Sequence, residues 1–102
     1  RRSSDLWILE DRAPRRVTME EWLLWQRNYP DGRRIGYTEV GEASVSTVFL
    51  SLDHAYPGMP PVLFETMVFG GPLDGEMERY RTIQEAEAGH EQMVQRVKEG
   101  TP

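Results

Sequence analysis

Two apolar runs in the middle of the chain, residues 45–52 and 62–69, dominate its pattern of hydrophobic and polar positions. Each run has the length and the β-branched and aromatic content of a strand, and turn-forming residues bound both. In the first run neither alternating face is strongly polar, which predicts a central strand. The residues between the runs, 53–61, are rich in proline and predict a loop.

Two helices are predicted from capping boxes, in which a threonine and a glutamate three residues later satisfy each other's backbone amides. Thr18 and Glu21 form the first such pair and predict a helix over residues 18–28, which the proline that follows must end. Thr82 and Glu85 form the second pair and predict a longer helix over residues 82–99, with a glycine just beyond its end.

The remaining segments complete one domain over residues 1–102. Residues 1–17 predict an N-terminal hairpin, and residues 35–81 predict antiparallel strands, the last of them a polar edge strand. The sequence therefore predicts an α+β fold in the order ββαβββ(β)α, with an antiparallel sheet of about four to six strands packed against two helices. One sheet covered by two helices buries all the apolar stripes together.

Charge and composition exclude several classes of function. The chain has 102 residues, no cysteine and a net charge of −5, and the acidic excess lies in residues 45–102, with four basic and nine acidic side chains. Acidic surfaces repel a phosphate backbone, so nucleic-acid binding is disfavoured; only the arginine-rich first part leaves it open. No apolar run approaches the roughly 20 residues of a membrane span. We expect no membrane association and a cytoplasmic location.

The candidate chemistry centres on the loop and on the strand that follows it. Asp53 and His54 are adjacent in the loop, and Glu65 lies in a row with apolar residues of the next strand. If the loop folds back, the three form a base with an orienting carboxylate, as in a small hydrolase or metal-dependent enzyme. The alternative, which we favour, is that Asp53 caps the turn, His54 is exposed, and Glu65 pairs with Arg79 or Arg81 across the sheet.

His90 is the second of the two histidines, and it lies on the apolar side of the predicted last helix. With Glu87 it has the Glu-x-x-His spacing of carboxylate metal sites, but a di-metal bundle needs a second copy, which is absent from the sequence. We therefore interpret His90 as a packed, hydrogen-bonded side chain and predict no metal and no cofactor. Motifs for serine nucleophiles, phosphate loops and dinucleotides are absent as well.

Aromatic residues are concentrated in the first part of the chain, and most of them are expected in the core. The predicted first helix carries two tryptophans three residues apart, beside two leucines, so the whole set cannot point inward. This excess indicates a surface for a protein partner or for a homodimer. The residues expected to contribute to that surface are Trp22, Trp25, Tyr29 and Tyr56.

Several segments also carry a resemblance. The stretches VSTVFLSLDH (residues 45–54), LFETMVFGG (residues 63–71), RYRT (residues 79–82) and EAEAGH (residues 85–90) resemble a group of small uncharacterised proteins encoded by bacteriophages and prophages. The likeness covers about residues 45–97. It implies a setting, the cytoplasm of a phage-infected or lysogenic bacterium, rather than a reaction. We therefore expect a phage accessory protein that binds a host or phage protein, with the small hydrolase as the alternative.

Overall fold

Eight elements follow one another in the order ββαββββα in a computed structural model, which describes residues 6–100. Two antiparallel sheets and two helices make up this part of the chain, and the predicted α+β class is confirmed. The elements are β1 (Leu6–Glu10), β2 (Ala13–Val17), α1 (Met19–Asn28), β3 (Arg34–Val40), β4 (Ala43–Phe49), β5 (Phe64–Phe69), β6 (Met77–Tyr80) and α2 (Ile83–Glu99).

Strands β1 and β2 form the predicted N-terminal hairpin, whose first five predicted residues lie outside the described part of the chain. Its two-residue turn consists of Asp11 and Arg12, with φ angles of 53° and 66°. Positive φ at both central positions is the geometry of a type I′ turn, whose twist matches that of the flanking strands. The turn therefore sets the pairing of Leu6 with Val17 at the far end of the hairpin.

The other four strands form a separate sheet in the order β3-β4-β5-β6, with every neighbour antiparallel. The hairpin joins it only at one end, where the Trp7 amide donates to the Ser51 carbonyl at 2.9 Å. The strand predicted over residues 45–52 ends at Phe49, because Ser51 has a φ of 67° and turns the chain out of the sheet. The N-terminal hairpin is thus a two-stranded sheet of its own beside the four-stranded one.

Both capping boxes are present, and they fix the helix starts. The Glu21 amide donates to Thr18 Oγ1 at 3.2 Å, and the Thr18 amide donates to Glu21 Oε1 at 2.9 Å. That backbone donor lowers the pKa of Glu21, with smaller contributions from the Thr18 side chain and from a nearby arginine. Thr82 and Glu85 repeat the arrangement at α2, which ends on Gly100 in the left-handed conformation, φ 68°.

The core lies against one face of the four-stranded sheet, here called the inner face. Six fully buried residues of the central strands lie on the inner face: Val45, Thr47 and Phe49 of β4, and Phe64, Thr66 and Val68 of β5. Helix α2 packs along this face, and β1 and α1 continue the same core past its end through Leu6, Ile8 and Trp25. The sheet thus has its helices and hairpin on one side.

The opposite face of the sheet, here called the outer face, has no described element packed on it. Its central row runs across all four strands through Tyr37, Ser46, Met67 and Met77. The shortest dimension of the molecule is 20 Å, which fits two layers, one sheet and one layer of helices about 10 Å apart.

Candidate functional site

Asp53 closes the long loop between β4 and β5. Its Oδ1 accepts hydrogen bonds from the amides of Ala55 at 2.8 Å and Val62 at 3.0 Å, which joins the two ends of the loop. His54 is exposed, and its backbone amide donates to the Val62 carbonyl at 3.0 Å. Within residues 6–100 no hydrogen bond or ion pair of the His54 imidazole is present. Asp53 therefore acts as a loop cap, and among the described residues its carboxylate makes no hydrogen bond to the His54 imidazole.

Glu65 lies on the outer face, directly opposite Arg79 in the register of β5 and β6. Arg79 Nε donates to Glu65 Oε2 at 3.0 Å, and the Glu65 side chain is 17% exposed. An ionised carboxylate in this partly buried position needs such a partner, since it would otherwise be desolvated without compensation. The cross-strand ion pair is therefore the structural role of Glu65, as the favoured interpretation of the sequence had it.

His90, a residue of α2, faces the other side of the same sheet, with only 5% of its surface exposed. Its Nδ1 is 2.7 Å from Thr47 Oγ1 and its Nε2 is 2.9 Å from Thr38 Oγ1, so both ring nitrogens are hydrogen-bonded. Thr47 Oγ1 in turn lies 2.5 Å from Thr66 Oγ1. Burial lowers the pKa of His90, against a smaller opposing effect of Glu91.

The four proposed catalytic candidates are therefore not brought together. Glu65 points away from the helices on the outer face, His90 points from α2 into the inner face, and Asp53 and His54 lie in the loop beyond the end of β4. Among residues 6–100 there is also no group of three or more histidine, aspartate or glutamate side chains suited to hold a metal ion. The described residues therefore do not bring Asp53, His54 and Glu65 together as the sequence-based alternative requires.

Tyr80, on the last strand β6, places a buried hydroxyl between the sheet and α2, which was not predicted from the sequence. Its ring and hydroxyl lie against Gly89 of α2, where a β-carbon would overlap them. The hydroxyl is buried, and within the described residues it has no hydrogen-bond partner. Burial raises the pKa of Tyr80. Gly89 beside His90 was the available signal, because it permits this close approach.

The two tryptophans of α1 turn inward, which corrects the prediction that both serve a partner surface. Trp25 is only 8% exposed and packs edge-on against Phe49, with ring centroids 5.9 Å apart. Trp22 is partly buried against the same cluster. The tryptophans are buried because of tertiary packing: the hairpin and the end of the sheet form an apolar site in which the larger side chains of α1 pack. Leu23 and Leu24 remain outside this site.

The solvent side of α1 consequently carries large apolar side chains among the charged residues Glu20, Glu21 and Arg27. Leu23 and Leu24 are 53% and 54% exposed, and Met19 and Tyr29 are more than half exposed as well. We call these four residues the leucine face. Tyr29 is exposed, as its predicted place at a partner surface requires, but the exposed apolar residues of α1 are the two leucines rather than the tryptophans.

A groove of about 380 Å³ adjoins the leucine face between β1 and α1. Ile8, Leu9 and Trp25 form its apolar wall, and Tyr29 and Gly32 form the end nearest the leucine face. Gly32 is tight against Trp25 and Tyr29, since a β-carbon there would come within 3.0 Å of both. Tyr56, which was also expected at a partner surface, is 84% exposed but lies in the loop between β4 and β5.

No protein-family model, no curated protein and no solved structure matches this chain. Neither helix within residues 6–100 has the length and apolar character required to cross a membrane.

Proposed function

We propose that this protein is a protein-binding module that docks the leucine face of α1 into an apolar groove of a partner protein. The observation that carries the proposal is the pair of adjacent leucines, each more than half exposed, on a helix whose other side is anchored in the core. Single exposed apolar residues are ordinary, but several large ones on one short helix favour an interaction surface.

The energetics favour such a contact. Full burial of a leucine side chain contributes about 1.5–3 kcal/mol, so Leu23 and Leu24 together supply several kcal/mol of binding free energy. The capping box at Thr18 and the buried Trp25 hold the helix in its bound conformation beforehand, which lowers the entropic cost of association. Tyr29, beside the groove under β1, is an aromatic anchor of the type that dominates interface energetics.

The charges around the leucine face define the partner further. Glu20 is exposed in the first turn of α1, and Arg27 is exposed in the last turn. A matching groove carries apolar residues along its floor, a basic residue at one end and an acidic residue at the other. The resemblance to phage and prophage proteins supports a host or phage protein as this partner, and the cytoplasm of a bacterium as the setting.

The hydrolase alternative lacks comparable support. It requires Asp53, His54 and Glu65 at one site, whereas Asp53 is engaged with backbone amides and Glu65 is paired on the outer face. His90 belongs to α2 and points into the inner face of the sheet. A histidine with both ring nitrogens hydrogen-bonded to threonine hydroxyls is engaged in the packing of the core rather than presented to a substrate.

The test places a photo-crosslinking amino acid at Leu23 in cells that produce the protein, with the same residue at Gln95 as the control. Gln95 is exposed on α2, away from the leucine face. The partner recovered only from the Leu23 position is then purified and its affinity measured. We expect Leu23→Glu to weaken that affinity at least tenfold and Gln95→Glu to leave it unchanged. Equal losses from both variants, or the same cross-links from both positions, would refute the proposal.

A further inference from the structure

The outer face of the four-stranded sheet is a second surface with the properties of an interface. Its central row of Tyr37, Ser46, Met67 and Met77 is apolar except for one small serine, and Phe69 adds a half-exposed ring at one end. Every element within residues 6–100 that covers the sheet packs on the inner face instead. An antiparallel sheet usually has one solvated, polar face. Here polar residues flank the apolar row on both sides, with Arg34, Glu65 and Arg79 on one side and Glu39 and Ser44 on the other.

The edges of this sheet are protected against pairing, in contrast to its face. Strand β3 has a bulge between Arg34 and Gly36, which interrupts the row of backbone donors and acceptors along that edge. Strand β6 is four residues long and carries charged side chains at Glu78 and Arg79. Bulges, charges and short strands are the devices that prevent strand addition at an edge. Association through the sheet is thus directed to the outer face.

The charged residues of β3 favour a second copy of this chain as the partner that covers the outer face. Arg34 lies over the Tyr37 ring, with its guanidinium carbon 5.5 Å from the ring centroid. On the other side, the Tyr37 hydroxyl donates to Glu39 Oε2 at 3.3 Å. A basic and an acidic side chain therefore flank one aromatic ring along the strand. A two-fold axis lying along the central row would place Arg34 of one copy against Glu39 of the other and stack the apolar row on itself.

We infer that this protein forms a homodimer in which the outer faces of two copies pack against each other about that two-fold axis. Such an interface is isologous, because the same patch serves both copies. Face-to-face sheets align at about −30° and interdigitate their side chains, and the small Ser46 leaves room at the centre of the row for the methionines around it.

The area of the outer face indicates that this dimer has a small interface. Four strands about 4.8 Å apart and about six residues long give a flat area of about 400 Å² per copy. Side chains roughen that area, so the dimer removes about 1,000 Å² of accessible surface in total, near the lower limit for a specific interface. A dissociation constant in the micromolar range is expected.

The first experiment uses the absence of cysteine from the chain. Ser46→Cys places one thiol at the centre of the outer face, near the two-fold axis, and Gln95→Cys places one on the exposed side of α2. Under mild oxidation at a concentration of about 100 µM, which is above a micromolar Kd, we expect rapid disulfide dimers from Ser46→Cys and slow ones from Gln95→Cys. Equal rates for the two variants would overturn the inference.

The second experiment measures dimer dissociation by sedimentation from about 1 µM to about 1 mM. Arg34→Glu and Glu39→Arg should each raise the dimer Kd about tenfold through like-charge contacts, and the double reversal should restore it. Retention of the dimer in both single variants, or a monomer at every concentration of the unmodified chain, would overturn the inference. Leu23→Glu should leave the dimer intact; its loss there would assign self-association to the leucine face instead.

Discussion

Thr47 and His90 are joined by a hydrogen bond in which Thr47 Oγ1 lies 2.7 Å from His90 Nδ1, at the centre of the contact between β4 and α2. Both residues are buried, and Thr38 engages the other ring nitrogen. Helix α2 is therefore held to the sheet by a polar contact inside an otherwise apolar interface. Polar groups in such a position specify one packing arrangement when all of them are satisfied.

The buried histidine predicts a specific dependence of stability on pH. Because burial lowers the pKa of His90, the unfolded chain takes up a proton near the ordinary value of about 6.5 while the folded chain does not. The free energy of unfolding should hence be constant above about pH 7 and fall as the pH drops below about 6.5, until the folded pKa is reached. Urea denaturation across pH 5–8 measures this slope.

The exposed histidine provides the control for that measurement. His54→Gln should retain the slope, whereas His90→Gln should flatten it and also lower the free energy of unfolding at pH 8 by about 1–3 kcal/mol, since Thr38 and Thr47 lose their partner. A slope that survives His90→Gln and disappears in His54→Gln would contradict the assignment.

Because Gly89 lies against Tyr80, we predict that alanine at this helix position destabilises the protein, the opposite of its usual effect. Alanine normally stabilises a helix interior by about 1 kcal/mol relative to glycine. Here the new methyl group would overlap the Tyr80 ring and hydroxyl, so Gly89→Ala should lower the free energy of unfolding by about 1–3 kcal/mol. Thermal unfolding of the purified variants measures the change.

A double-mutant cycle assigns the Gly89 effect to that ring. In a Tyr80→Val background, Gly89→Ala should be neutral or stabilising, because the overlapping atoms are gone. A loss of the same size in both backgrounds would show that the strain arises elsewhere on α2.

The positions of these buried residues separate what the sequence can predict from what it cannot. Both helices were predicted with nearly correct limits, because a capping box is a local device whose parts lie three residues apart. The sequence left the inward face of β5 open, since each face has two large apolar residues and one polar one: Glu65, Met67 and Phe69 on one face, Phe64, Thr66 and Val68 on the other.

What decided that face was the threonine pair under His90, a contact between residues far apart in sequence. The orientation of α1 is a similar case. Its two tryptophans and two leucines give apolar residues on every side, and only the concave site made by the hairpin and the sheet end selects Trp25 for burial. Tertiary packing thus determined the features that local periodicity left open.

The capping box of α2 predicts a measurable contribution from one hydroxyl. Thr82 Oγ1 accepts from the Glu85 amide at 3.1 Å, so Thr82→Ala should lower the free energy of unfolding by about 1 kcal/mol. Thr82→Ser keeps the acceptor and should lose much less. In a chain of this size 1 kcal/mol corresponds to a melting-temperature shift of about 4–8 °C, which calorimetry resolves. Identical losses in the two variants would rule out the hydroxyl as the cause.

We predict that Ser51→Gly, just beyond the end of β4, stabilises the protein. Ser51 has a φ of 67°, which is costly for a residue with a β-carbon, and its hydroxyl is buried without a hydrogen-bond partner among the described residues. Ser51→Gly removes both costs and should raise the free energy of unfolding by about 1 kcal/mol in urea denaturation.

Two further variants separate the contributions at Ser51. Ser51→Ala removes the hydroxyl but keeps the strained φ, so it should gain less than Ser51→Gly. Asp11→Gly, at a φ of 53° in the exposed hairpin turn, relieves backbone strain and should show the conformational part of the gain; Arg12 in the same turn is unsuitable, because its guanidinium forms an ion pair with Glu87. If Ser51→Gly destabilises while Asp11→Gly stabilises, the Ser51 side chain must contribute packing that outweighs its strain.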